Sequence, residues 1–297
     1  MGYGRLKQRL ATGETIILDG PTGTELQRRG APMDPGAWCG PATLSHEPLL
    51  TQVHADYLAA GADVITANTF ASSRLMLARS GLGDSVREIN ERAIGAALRA
   101  RDMAPITQGT AVSDARRLPP QAELEDAFHE LGGILAGAGC ELIILEMMYD
   151  PGRITPALDA ALATKLPVWF GASARRGRDG RPISFYQSDD ISLEAVAKMI
   201  PQSGIDAAGI MHTSAEIVTD ALKAVRGHFG GPLMAYPDSG YFEMPDWRFV
   251  DVIAPLRFEA FCRDWIASGV QIIGGCCGLT PDHIRAAVRA KDKKRAS

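Results

Sequence analysis

Long apolar runs are the first thing this sequence lacks. No stretch of its 297 residues approaches the roughly 18 uninterrupted apolar residues that a membrane-crossing helix needs, so no membrane association is expected. The opening Met1-Gly2-Tyr3-Gly4-Arg5 has no apolar core of a secretion signal, so none is expected. Cysteine is scarce: five in all, an odd number with one adjacent pair, which does not suit a disulfide framework. An excess of one charge sign is missing too. The net charge is -4, which leaves no electrostatic footprint for nucleic acid or an anionic membrane. The basic runs Arg175-Arg176-Gly177-Arg178 and Lys291 to Arg295 read as solvated loop and tail. From these absences a cytoplasmic chain is expected, with reduced thiols open to a metal. The oligomeric state is not readable from them.

What is present is an ordinary globular composition, 46% apolar and 22% charged, in a chain long enough to bury its core without staples. Eight short apolar runs recur from end to end: Thr15 to Asp19, Val64 to Thr69, Ile106 to Val112, Leu142 to Glu146, Val168 to Ala172, Ala208 to His212, Leu233 to Tyr236 and Val270 to Gly274. Each is nearly continuous in apolar character, as strands covered on both faces should be. Helical spacing fills the intervals, over Leu49 to Ala60, Val86 to Met103, Leu193 to Ile200 and Glu216 to Val225, each closed by a nearby Gly or Pro. Eight βα units with no linker between them predict an α/β protein, a (β/α)8 TIM barrel forming a single domain over residues 1–297. A doubly wound open sheet has the same periodicity and stands as the alternative.

In both architectures chemistry sits at the carboxyl ends of the strands. The eight runs end in Asp19-Gly20, Asn68-Thr69-Phe70, Glu146, His212, Tyr236-Pro237-Asp238-Ser239-Gly240 and Cys276-Cys277, among others. Adjacent cysteines rarely bond to each other, because the small ring strains the peptide between them. In a strand they would face opposite ways, but Gly274, Gly275 and Gly278 permit a turn that brings both sulfurs to one point. Two thiolates favour zinc or another soft metal. Two small buried hydrophobes, or a vicinal redox disulfide, are the other readings of the pair. A catalytic zinc takes three protein ligands and keeps one open position. Cys140 precedes a strand and Cys262 sits in a helix, away from the strand ends, while Cys39 lies on the loop after the first strand. His212 ends the sixth strand and is the favoured third ligand, with Cys39 the other possibility.

Four motifs in order carry a resemblance. Asp19-Gly20-Pro21-Thr22-Gly23-Thr24-Glu25-Leu26, Ala67-Asn68-Thr69-Phe70, Tyr236-Pro237-Asp238-Ser239-Gly240 and Ile273-Gly274-Gly275-Cys276-Cys277-Gly278-Leu279-Thr280-Pro281 resemble those of the homocysteine S-methyltransferases. The likeness spans roughly residues 12 to 290. It implies a (β/α)8 barrel and a zinc ion (Zn2+) that activates the thiol of homocysteine. A sulfonium or ammonium donor then supplies the methyl group, and methionine forms. It implies zinc on three cysteines, two of them matching Cys276 and Cys277. The third would end a Gly-x-Asn-Cys motif on the sixth strand. Here that segment reads Gly209-Ile210-Met211-His212, so the implied set is two cysteines and a histidine. A neutral imidazole in place of a thiolate makes the centre one unit less negative, which predicts a less nucleophilic substrate sulfur.

The same resemblance sets Asp19 and Glu146 at the homocysteine ammonium. The backbone near Gly20 is expected at its carboxylate, Asn68 among the substrate contacts, and Trp38 beside the donor. A cationic donor calls for aromatic faces. Phe70, Tyr149, Tyr241, Phe242 and Trp247 are further candidates. The expected partners are homocysteine and a small methyl donor. The altered segment around His212 also admits a barrel that binds metal in a regulatory or binding role without catalysis.

Overall fold

A computed structural model describes residues 2–102, 107–111, 120–186, 191–243 and 248–296. Its centre is a ring of eight parallel strands: β1 (Ile16–Ile17), β2 (Val64–Ala67), β3 (Thr107–Ala111), β4 (Ile143–Met148), β5 (Val168–Ala172), β6 (Ala207–Ser214), β7 (Leu233–Asp238) and β8 (Val270–Ile273). The sheet runs in the order β1-β8-β7-β6-β5-β4-β3-β2. A parallel bridge between Leu18 and Val64 joins its two ends. There Asp19 N donates to Val64 O at 3.0 Å and Asp63 N to Ile17 O at 2.6 Å. Joined this way, no strand is left as an edge, and the fold is the expected (β/α)8 barrel.

Each apolar run forms a strand close to its expected position. The first is shorter than its run, with two residues in the regular ladder and Leu18 in the bridge. β4, β6 and β7 continue past their expected ends, to Met148, Ser214 and Asp238. Ile106 and Val112, the expected bounds of β3, and Met103, the expected end of the preceding helix, lie outside the described residues. The helices follow the 3.6-residue spacing. Glu47–Ala59 stops before Gly61, whose φ of 101° suits glycine. Val86–Asp102 follows its pattern, Leu193–Ala197 is shorter than expected, and Ala215–His228 is longer.

The period of two sorts the strand side chains into two layers. Ile17, Ile65, Ile143, Leu145, Val168, Phe170, Ala208, Ile210, Ala235 and Ile273 point outward and join the core beneath the helices. Ile16, Leu18, Val64, Leu142, Ile144, Trp169, Ala207, Met211, Met234, Tyr236 and Ile272 fill the barrel interior. The N-terminal helix Tyr3–Ala11 seals the lower end of this column with Tyr3, Leu6 and Leu10. Trp169 Nε1 donates to the Tyr3 hydroxyl at 3.0 Å, and Gln271 Nε2 donates to Leu10 O at 2.7 Å. Cys276 and Cys277 belong to the same column at its upper end. No helix among the described residues is long and apolar enough to cross a membrane.

Candidate metal centre

The turn after β8 depends on its glycines. Gly275 N donates to Asp19 O at 3.0 Å, Cys276 N to Pro237 O at 2.6 Å, and Ser239 N to Cys277 O at 3.0 Å. Gly278 has φ 83°, and a Cβ there would lie 2.0 Å from Ser239 O, so the chain takes this path only with glycine. The outcome is the one expected for the pair: both thiols stand on one side, with sulfurs 3.9 Å apart.

His212 arrives by a different device. The β6–β7 register shifts between Met211 and Ser214, and His212 carries φ 42°. A bulge re-aims a side chain that strand alternation would send elsewhere. Left-handed backbone at a residue with a Cβ persists where surrounding contacts over-determine it. Here Thr213 supplies them, donating to Met211 O at 2.8 Å and accepting from Ala174 N at 2.9 Å. The ring ends with Nδ1 3.5 Å from Cys276 Sγ, Nε2 3.8 Å from Asp238 Oδ2, and the Phe185 ring edge-on at 5.2 Å. β4 ends the same way: its register shifts between Leu145 and Met148, and Met147 has φ 57°. Glu146, beside this bulge, faces the cavity.

The donor atoms of His212, Cys276 and Cys277 lie within 4.8 Å of one another. Tetrahedral zinc, with bonds of about 2.3 Å to sulfur and about 2.0 Å to nitrogen, sets two sulfurs about 3.8 Å apart and sulfur to nitrogen about 3.6 Å. The two edges that meet at Cys276, 3.9 and 3.5 Å, match. The electrostatics point the same way. The adjacent Cys277 thiol, with burial, holds Cys276 well above the usual thiol range. Burial lifts Glu146 to about 7, against the pull of His212 and a hydrogen bond from Tyr236. Burial alone would lower His212, but Cys276, Asp238 and Glu146 outweigh it and raise the imidazole to about 9. Burial holds the proton on Glu146, burial with the adjacent thiol holds it on Cys276, and neighbouring acidic groups hold it on His212; a divalent cation at this point would replace the protons of the ligating groups.

A cavity of about 260 Å³ opens over the three donors. That is small for a ligand site, where about 300–1,000 Å³ is usual, and it suits metabolites of amino-acid size. Glu146, Asn68, Trp38, His212, Cys276 and Cys277 all line it. Asp19 and Gly20 do not reach its wall. Asp19 is fully buried one layer below. Its carboxylate accepts from Thr66 N at 2.7 Å and from the Thr66 hydroxyl at 3.0 and 3.2 Å, and Thr66 is a lining residue. Gly20 packs on Tyr57, whose ring a Cβ would meet at 2.6 Å. Asn68 spends its side chain on the loop before it. Its Nδ2 donates to Cys39 O at 2.9 Å and Thr43 Oγ1 at 3.0 Å, and its Oδ1 accepts from Cys39 Sγ at 3.2 Å. Cys39 is therefore engaged with Asn68 beside the cavity and lies outside the group of donors that could hold a metal, and burial pushes its thiol up to about 12. Cys140 and Cys262 are buried away from the cavity.

Trp38 and Phe70 meet edge to face, centroids 6.2 Å apart, on the cavity wall. Trp38 is presented at φ 46° by a turn that Asp34 ties together through Gly36 N, Ala37 N and the Ser80 hydroxyl. Tyr149 instead packs with Phe185 and Tyr186 behind His212. Tyr241 is exposed, the Phe242 side chain and Trp247 lie outside the described residues. Met76, Arg79, Met211 and Thr66 also line the cavity and Phe185 neighbours His212, none of them expected there from the motifs. Strand parity flags Thr66, in step with Val64, and Met211, in step with Ala207. Nothing local flags Arg79 or Phe185.

Three comparisons bear on this arrangement. The family model for homocysteine S-methyltransferase matches residues 16–290. Homocysteine S-methyltransferase 2 of Zea mays is 26% identical, over 95% of this chain and 91% of its own. The Bacillus subtilis homocysteine S-methyltransferase YbgG is 25% identical, over 93% of this chain and 94% of its own. In fold, the chain is similar to the crystal structure of the metallated Escherichia coli homocysteine methyltransferase MmuM. The TM-score is 0.77 at 23% identity, over 95% of this chain and 98% of that one.

Proposed function

The chain belongs to the homocysteine S-methyltransferase family, and from that premise we propose that it transfers a methyl group from a sulfonium or ammonium donor to the thiol of homocysteine, giving methionine, at a zinc centre held by Cys276, Cys277 and His212. The observation that carries the reading is the match between the sulfur–sulfur and sulfur–nitrogen distances, 3.9 and 3.5 Å, and the edges of a tetrahedral site. The cavity above those donors supports an open fourth position for substrate sulfur. The metallated state of MmuM is consistent with it.

Zinc, when bound, lowers the pKa of the substrate thiol so that its sulfur is held as a thiolate at neutral pH. The thiol proton would pass to solvent, and the freed sulfur lone pair would attack the donor methyl carbon. The bond from that carbon to the onium sulfur or nitrogen breaks, and its electron pair leaves with the now neutral sulfide or amine. No oxyanion develops, so no oxyanion hole is required. Glu146, buried on the cavity wall, takes the homocysteine ammonium. Asp19 acts on the same end of the substrate through Thr66, whose backbone N–H and hydroxyl it orients. Asn68 positions the loop that carries Trp38. Trp38 and Phe70 offer π faces to the positive donor. All five cysteines are free, which suits a reducing compartment such as the cytoplasm.

The test joins metal analysis, calorimetric titration with homocysteine, and a donor panel of S-methylmethionine, glycine betaine, dimethylsulfoniopropionate and S-adenosylmethionine. Zinc near one per chain, homocysteine binding and methionine from at least one donor are expected. Bound zinc without thiol binding or methionine overturns the proposal and leaves a metal-binding barrel with another role.

A further inference from the structure

His212 has two ring nitrogens, and the structure gives each a separate neighbour. Nδ1 faces Cys276 Sγ at 3.5 Å, while Nε2 faces Asp238 Oδ2 at 3.8 Å. A nitrogen that offers its lone pair to sulfur or metal carries no proton, so the proton of a neutral ring sits on Nε2. We infer that Asp238 is a positioning residue of the metal site, its carboxylate taking the Nε2 proton of His212 in a hydrogen bond and so holding Nδ1 toward Cys276 and Cys277. The inference rests on the zinc reading above. It adds a residue that touches neither metal nor substrate.

Three features carry it. Asp238 ends β7 directly opposite the β6 bulge, paired in register with Ser214, so the distortion that turns His212 inward also sets it beside this carboxylate. Phe185 closes another side of the imidazole edge-on at 5.2 Å, which limits where the ring can swing. Among the described residues no lysine or arginine forms an ion pair with Asp238, so His212 is its only charged-pair partner there. The 3.8 Å gap is longer than a hydrogen bond, and an adjustment of about 1 Å or one bridging water closes it. A thiolate ligand has no second nitrogen to orient and needs no such carboxylate. The pairing therefore belongs to a site built with histidine. Carboxylates behind ligating histidines fix tautomer and ring orientation, and their loss weakens metal binding roughly 10- to 100-fold.

The full chain, stripped of metal, is titrated with Zn2+ against a chromophoric chelator in two backgrounds. With His212 present, Asp238→Ala should weaken zinc binding roughly 10- to 100-fold, and Asp238→Asn, which keeps an acceptor oxygen, should weaken it less. In the His212→Cys background the same Asp238→Ala change should alter affinity by no more than about twofold, as for independent sites. Nitrogen-15 spectra of the zinc-loaded wild type should show His212 protonated on Nε2. Equal losses in the two backgrounds, no loss in the first, or a proton on Nδ1 each overturn the inference and leave the zinc reading standing. Failure of the wild type to take up zinc overturns the zinc reading and this inference with it.

Discussion

The two ends of the barrel interior are built from the same eight strands and do opposite work. At the lower end Tyr3, Leu6, Leu10, Leu142 and Trp169 fill the column with apolar bulk, and the Trp169 indole finds a partner in the Tyr3 hydroxyl. At the upper end the column finishes in Glu146, Tyr236, Cys276 and Cys277, and positive φ at Met147 and His212 bends the strand ends inward. One end spends its burial on stability. The other buries ionisable groups, raises their proton affinities and holds backbone in costly conformations, which is where a reactive site is expected. Separating the two ends lets chemistry change at the rim without loss of the core.

The comparison breaks most sharply with substitutions that hit one end only. Cys277→Ala should abolish methyl transfer and zinc retention while thermal unfolding, compared between the metal-free proteins, shifts little, since a small side chain replaces a small one. Metal analysis beside a melting curve checks it. Trp169→Ala should do the reverse, costing about 3–5 kcal/mol in denaturant unfolding with zinc content kept in the molecules that remain folded. Loss of zinc from folded Trp169→Ala would show that the ends are coupled.

A third prediction separates the rim from the rest of the molecule through acid. His54, on the helix Glu47–Ala59, is fully buried with neither ring nitrogen paired, and burial depresses its pKa from 6.5 to about 3. Its folded value lies below its unfolded one. Its contribution is therefore fully present above pH 6.5 and is lost as pH falls from 6.5 toward 3, at up to about 1.4 kcal/mol per pH unit. Denaturant unfolding across that window should show His54→Leu flattening the slope by about one proton. An unchanged slope would move the acid sensitivity to other groups. The smallest effect is expected from Tyr3→Phe, which leaves Trp169 Nε1 without its acceptor and should cost about 1 kcal/mol with no change in zinc affinity.

Much of this was legible because burial on both strand faces writes a simple pattern. The eight apolar runs fell on the eight strands, and the glycines around Cys276 and Cys277 announced a turn that only glycine can make. Strand parity also held more than was read from it, since it places Thr66, Met211 and Tyr236 in the interior. The limits are as physical. Asp19 lies near the homocysteine end in sequence logic, yet its carboxylate is consumed by Thr66, a contact 47 residues away that no local pattern encodes. Asn68 is likewise spent on Cys39 and Thr43.

The continuous apolar runs, the spacing of helices and the Gly-Gly-Cys-Cys-Gly turn are local or periodic, so the chain by itself determined the eight βα units and the paired sulfurs after the last strand, while closure into a barrel rests on the Leu18–Val64 bridge. The bulges that aim Glu146 and His212 were decided only in three dimensions. Met147 has no intrinsic preference for positive φ and His212 only a slight one, and contacts from Ser173 and Ala174 after β5, with the adjacent Thr213, surround those distorted ends. The same holds for the neighbours of His212. Cys276, Asp238 and Phe185 come from three separate segments, and the direction of each ring nitrogen exists only once the barrel has closed.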